Sequence, residues 1–191
     1  MVLSDNQTFK RHIAQKTVQQ IKISIAMEQT NTSPIFLGFS SQKGGVGKST
    51  LAEIVSSILY YEKGIELFIV DCDLSQDSFY KLRQREKTFV EGDPLVSEQM
   101  NNYFSALGRV SYRVLKADPK SAIAKAEEHI RKNSKKRFDL VVFDFPGHAG
   151  TSDLLELSLE MDYILSPSRP TYSQWSPALP MPRPCRTWGC R

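Results

Sequence analysis

The densest chemistry in the sequence lies between Gln42 and Thr50, which read QKGGVGKST. Gly44, Gly45 and Gly47 let a backbone curl until several N–H groups face one point, and the helix that follows adds its positive end. A point lined in that way suits phosphate oxygens. Lys48 then brings an ammonium to the β- and γ-phosphates of a nucleoside triphosphate, and the Ser49 hydroxyl is placed to ligate magnesium. Val46 contributes backbone to the same cradle, and Thr50 supports the phosphates from the first turn of the helix. A turn that merely links strand to helix needs the glycines but not Lys48 and Ser49 in this order.

Carboxylates close two apolar runs elsewhere. Leu67, Phe68, Ile69 and Val70 run into Asp71, Cys72 and Asp73, and Leu140, Val141, Val142 and Phe143 run into Asp144, Phe145, Pro146 and Gly147. Acids at the carboxyl ends of buried parallel strands lie where open α/β sheets bind ligands. An acid at a strand end can instead cap a helix, and for Asp71 and Asp73 that alternative stays open.

The elements that must hold these groups are legible from periodicity. Ile35, Phe36, Leu37 and Phe39 form the short apolar run of a strand buried on both faces. Leu51, Ile54, Val55, Ile58 and Leu59 then recur at helical spacing until Gly64. Val110–Leu115 reads as a strand. Asp118 and Pro119 read as the N-cap and first position of a helix running toward Ile130. Leu154, Leu155 and Leu159 predict another helix, and Tyr163, Ile164 and Leu165 another strand. The alternation predicts an α/β fold, a doubly wound, mostly parallel sheet with helices on both faces. Between Gln76 and Gly108 the pattern is weaker: Phe79 and Leu82 face a core from a helix, and Tyr103, Phe104 and Leu107 fill core rather than stack on bases. Lys132, Lys135, Lys136 and Arg137 read as a solvated loop, with a DNA or partner contact as the alternative.

Composition places limits around this reading. The chain has 191 residues, 40% hydrophobic and 24% charged, and no apolar run approaches the roughly 18 residues that a membrane span needs. The net charge of +4 comes from the ends. Lys10, Arg11, Lys16 and Lys22 face only Asp5 at one end, and Arg169, Arg183, Arg186 and Arg191 face no acid at the other. The body between carries more acids than bases, so it shows no general basic patch. Cys72 is the one cysteine of that body, which suits a reducing cytoplasm, and His12, His129 and His148 lack ligand spacing.

Both ends read as foreign to the body. In residues 1–26, Phe9, Ile13, Val18, Ile21 and Ile25 sketch a basic amphipathic helix, read as a targeting peptide or, preferably, as translation from an upstream start before Met27. Residues 169–191 hold both tryptophans, Cys185, Cys190 and five prolines, with neither helical nor strand periodicity. They read as a disordered or out-of-frame tail, because a one-base shift near Pro170 restores an amphipathic pattern.

With Lys43 included, the loop reads K-G-G-V-G-K-S-T and resembles the deviant Walker A motif of the ParA and MinD family of P-loop ATPases. Asp71, Asp73 and Gln76 resemble that family's D-x-D-x-x-Q first switch, and Asp144 to Gly147 its Walker B strand and D-x-P-G second switch. The likeness runs from about Ile35 to Pro167, within a domain spanning 27–168. It implies ATP and Mg2+ as ligands. Lys43 would reach across a homodimer to the partner's nucleotide, Asp73 would orient the attacking water, and Ser49, Asp71 and Asp144 would serve the magnesium shell. It further implies a cytoplasmic switch in DNA partition or conjugative transfer, with nonspecific DNA and a stimulating protein as partners and no membrane contact. A small-molecule ligase on the same fold and an inactive truncated fragment are the other readings, since family members continue with further elements after Leu165.

Overall fold

The computed structural model describes residues 14–22, 33–41, 45–74, 78–147 and 151–167, and the backbone of 186–188. A helical stretch over 14–22 (α1) precedes strand β1 (Ile35–Phe39) and helix α2 (Lys48–Ser57), whose last turn widens into a π-helical turn over Ile58–Glu62. Next come β2 (Leu67–Asp71), the helices α3 (Ser78–Gly92) and α4 (Pro94–Leu107), β3 (Val114–Lys116), α5 (Ala122–Lys132) and β4 (Leu140–Asp144). The series closes with α6 (Ser152–Leu159), β5 (Tyr163–Leu165) and β6 (Arg186–Trp188).

These strands form one sheet in the order β3-β2-β4-β1-β5-β6, with every pair parallel. β4 lies between β1 and β2, pairing Phe39 with Asp144 on one side and Asp71 with Asp144 on the other. The register therefore sets the carboxyl ends of β1, β2 and β4 side by side. The chain runs from β1 toward one edge and later returns to the other, so the crevice beyond those ends is the topological switch point of the sheet.

Burial on both sides explains why the strands read as continuous apolar runs. Successive side chains of β2 alternate, so Leu67 and Ile69 enter one core while Phe68 and Val70 enter the other. The first core adds Leu37, Phe39, Ala52, Val55 and Leu59. The second adds Phe143, Phe145, Ala122, Ala126, Leu154 and Leu157. This is the doubly wound α/β architecture expected from the sequence.

Several local expectations change. Residues 14–22 are no loose appendage: Ala14, Thr17, Val18 and Ile21 are buried, the three apolar ones within the first core. Phe9, Ile13 and Ile25 lie outside the described residues. In the tail, Arg186–Trp188 pairs in parallel with β5, where no strand was expected; it follows the last of the tail's prolines, Pro184.

Strand β3 begins at Val114 rather than Val110, and Val110 is 73% exposed. Asp118 does not cap α5. Its carboxylate accepts from the Ser121 N–H (3.0 Å) and hydroxyl (2.6 Å), closing a turn, and the helix starts at Ala122. The ambiguous region is a helical hairpin. Asp93 caps α4 by accepting from Leu95 and Val96, Pro94 occupies the first position, and Gly108 ends the helix at a φ of 61°. Phe79 is buried as expected, but no residue of α4 is. Tyr103 and Phe104 instead gather around Tyr61, with ring centroids 6.4 and 5.8 Å away. The basic cluster behaves as a solvated face, with Lys132 paired to Glu128 (2.6 Å), Lys136 to Glu66 (2.7 Å) and Arg137 near Asp139 (3.9 Å).

Candidate functional site

Backbone geometry in the glycine loop follows from its residue types. Gly45 and Gly47 take φ values of 73° and 85°, a region that side-chain-bearing residues rarely adopt. A Cβ at either position would meet nothing within 4 Å, so open space faces the loop. Gly47 is the N-cap of α2, and Lys48 opens the helix. The loop thus hands its N–H groups to the positive end of a ten-residue helix.

Lys48, Ser49 and Asp144 converge beyond β1 and β4. The Lys48 ammonium is 7% exposed and donates to Asp144 Oδ1, while the Ser49 hydroxyl donates to Asp144 Oδ2 at 2.6 Å. Lys48 also reaches Ser49 Oγ at 3.2 Å. Asp144 is fully buried, and burial pushes its pKa up, opposed by the Lys48 charge and the two donors. A buried carboxylate of this kind is stable only with such partners.

The carboxyl end of β2 is built differently from the expectation for Asp71. Its Oδ1 accepts from the Asp73 N–H (3.2 Å), and its Oδ2 from the N–H groups of Phe79 (3.2 Å) and Tyr80 (3.4 Å) at the start of α3. Asp71 therefore takes the helix-capping alternative. Burial pushes its pKa up as well, with the nearby Asp144 charge acting in the same direction. Asp73 is buried at 4% exposure just beyond. Cys72, between them in the chain, is a buried thiol whose pKa is raised by burial first and then by the Asp71 and Asp144 charges, with Lys48 opposing.

Of the residues singled out from sequence, Gly45, Val46, Gly47, Lys48, Ser49, Thr50, Asp71, Asp73 and Asp144 thus share one end of the sheet. Lys43, Gly44 and Gln76 lie outside the described residues, as does His148. His129 stands apart, edge-on to Phe68 and tilted against Phe138, with ring centroids 4.7 and 5.6 Å away.

One supporting residue escaped the sequence reading. A Cβ on Gly38 would meet Phe145 and the Met161 side chain at 3.2 Å, tighter than ordinary packing. Only a glycine lets the segment after Asp144 lie so close to β1, and the signal was a glycine inside an otherwise apolar strand.

The residues present fit a triphosphate with a hard divalent cation. The open glycine loop and a desolvated ammonium suit the phosphates. A hydroxyl and a carboxylate oxygen 2.6 Å apart suit Mg2+, which is usually held by one or two carboxylates plus phosphate oxygens. Among the described residues no cluster of three or more His, Cys, Asp or Glu side chains is arranged to hold a metal.

A parallel doubly wound sheet with this loop after its first strand defines a P-loop nucleoside-triphosphatase fold. The family described as ATPase MipZ matches residues 35–168, more than half of the chain. The chain belongs to that family, and so to the ParA-like P-loop ATPases. A comparison with curated protein sequences returns no match. Among solved structures, the chain is similar to the kinase domain of the Escherichia coli tyrosine kinase ETK, at 16% identity and a TM-score of 0.48, over 79% of this chain and 62% of that one. It is also similar to a ParA family ATPase from Chlorobium tepidum, at 15% identity and a TM-score of 0.36, over 71% of this chain and 60% of that one. The chain therefore spans less than two thirds of either structure's length. No helix among the described residues is long and apolar enough to cross a membrane.

Proposed function

We propose that the chain binds ATP with Mg2+ and hydrolyses it as a dimeric switch of the ParA type, acting in DNA partition or conjugative transfer. The observation that carries this reading is the convergence of Lys48, Ser49 and Asp144 beside an open, positive-φ glycine loop. In the free protein Asp144 holds Lys48 inside the site. Triphosphate binding offers the ammonium a stronger set of acceptors, and Lys48 turns to the phosphates while Ser49 and Asp144 become free to hold the cation. Bound Mg2+ would neutralise charge on the phosphates during phosphoryl transfer to water. Asp73 is the residue proposed to orient that water, at the buried end of β2. Lys43 is assigned to the partner's nucleotide on the strength of the K-G-G-V-G-K-S-T resemblance, and it explains why hydrolysis would wait for a dimer.

The test is ATP-dependent association measured by sedimentation, alongside phosphate release with and without duplex DNA. The reading expects a dimer with ATP that is lost in Lys43→Ala, and slow turnover lost in Lys48→Ala. Failure of the chain to bind ATP would sink it. Turnover that depends on an added small-molecule acceptor, with no dimer, would instead favour a ligase on the same fold.

A further inference from the structure

Asp71 was expected to share in the magnesium shell, yet its carboxylate is already committed. A carboxylate offers about four lone-pair positions. Three face N–H groups of Asp73, Phe79 and Tyr80, and the residue is 1% exposed. These bonds join three points: the end of β2, the backbone of Asp73, and the first turn of α3. They also anchor the hairpin, because Phe79 is its one buried apolar side chain among the described residues.

The geometry points to Asp71 as a positioning residue, not a ligand: it holds the Asp73 backbone and the α3 terminus together so that Asp73 is presented to the attacking water. Capping by an ionised carboxylate is stronger than by a neutral acceptor, and the α3 dipole adds to it. The bond to the Asp73 N–H fixes the peptide from which the Asp73 side chain springs. The assignment rests on the ATPase reading above, but its geometric half does not.

Asp71→Asn and Asp71→Ala in the full chain test it, with Asp144→Ala as the control for cation binding. Asn keeps shape and one acceptor oxygen, so it gives an answer if Ala fails to fold. Three quantities are read: amide hydrogen exchange at Asp73, Phe79 and Tyr80 without nucleotide; the Mg2+ concentration for half-maximal binding of a non-hydrolysable ATP analogue; and kcat against KM. The expected result is exchange at those amides at least tenfold faster. It also includes kcat down tenfold or more, with KM and the Mg2+ midpoint within twofold of the unsubstituted chain. A tenfold rise in the Mg2+ midpoint would place Asp71 in the metal shell and overturn the proposal. So would faster exchange with kcat unchanged, which would leave Asp71 as a cap and nothing more. Absence of turnover in the unsubstituted chain fails the ATPase reading, and the positioning role with it. Unchanged exchange at Phe79 and Tyr80 fails this proposal alone.

Discussion

Lys48 and Asp144 form an ion pair that the fold has taken almost wholly out of water. Removing one partner of such a pair costs more than the pair itself contributes, because the survivor is left charged and desolvated. Lys48→Ala should therefore destabilise the nucleotide-free chain by about 3 kcal/mol in urea unfolding at neutral pH. The loss should shrink as pH falls, because Asp144, its pKa raised by burial, takes up a proton and ceases to need a counter-charge. An unchanged unfolding midpoint would mean that Lys48 does not neutralise Asp144 in solution.

Glu53 behaves in the opposite sense to an ordinary surface acid. It is half-buried on α2, and its pKa is pushed up to about 7 by burial and by the Glu86 carboxylate, with Arg83 partly opposing. The folded chain therefore binds this proton more tightly than the unfolded chain does. Stability contributed here is present at low pH and is lost as pH rises from the unfolded value near 4.5 through about 7. Glu53→Gln should flatten the stability profile between pH 5 and 8 and raise the urea midpoint at pH 8. A steeper profile in the variant would refute the assignment. Glu53 was invisible in the sequence because its environment is assembled by α3, while Lys48, Ser49 and Asp144 were legible through fixed local spacing.

At the scale of elements, strands read well and caps read unevenly. β1, β2 and β4 are buried on both faces, so composition alone marks them. The hairpin was blurred because only Phe79 enters the core, while Tyr103 and Phe104 gather on Tyr61 and Phe89 and Leu95 stay exposed, so no continuous apolar stripe marks either helix. Asp118 and Pro119 made a plausible cap, yet the Ser121 hydroxyl turned the Asp118 carboxylate into a turn former. Gly38 is where β1 meets the segment after β4 most closely. Gly38→Ala must displace Phe145 or Met161 by a few tenths of an ångström, an overpacking cost of about 1–3 kcal/mol. Phe145 directly follows Asp144, so the variant should also weaken ATP-analogue binding, measured by fluorescence titration. A loss of stability with normal affinity would show that the strain is absorbed by Met161 instead.

For the molecule as a whole, the N-terminal helix changes what counts as the domain. Ala14, Val18 and Ile21 complete the core that covers β1 and β5 on one side. Sequence reasoning separated this segment because a basic amphipathic stretch looks alike whether it docks on its own chain or elsewhere. Ile21→Ala should cost about 2 kcal/mol, the low end for a buried isoleucine, and removal of residues 1–26 should cost more and expose apolar sheet. Thermal unfolding of both variants checks this; a truncated chain as stable as the full one would return the segment to the status of an appendage.

The α3–α4 hairpin has a practical corollary. It leaves the sheet after β2 and returns to β3, the strand paired with β2 in parallel. Its far end, around Gly92 and Asp93, is flanked by Phe89 and Leu95 at 68% and 71% exposure. Chain entropy grows only with the logarithm of loop length, so extra residues there cost little: about 0.6 kcal/mol for each doubling. The turn is thus a natural port for a grafted tag or fluorescent reporter. Inserted between Glu91 and Gly92, ahead of the Asp93 cap, such a passenger should ride on the protein while leaving unfolding temperature and nucleotide affinity nearly as they were.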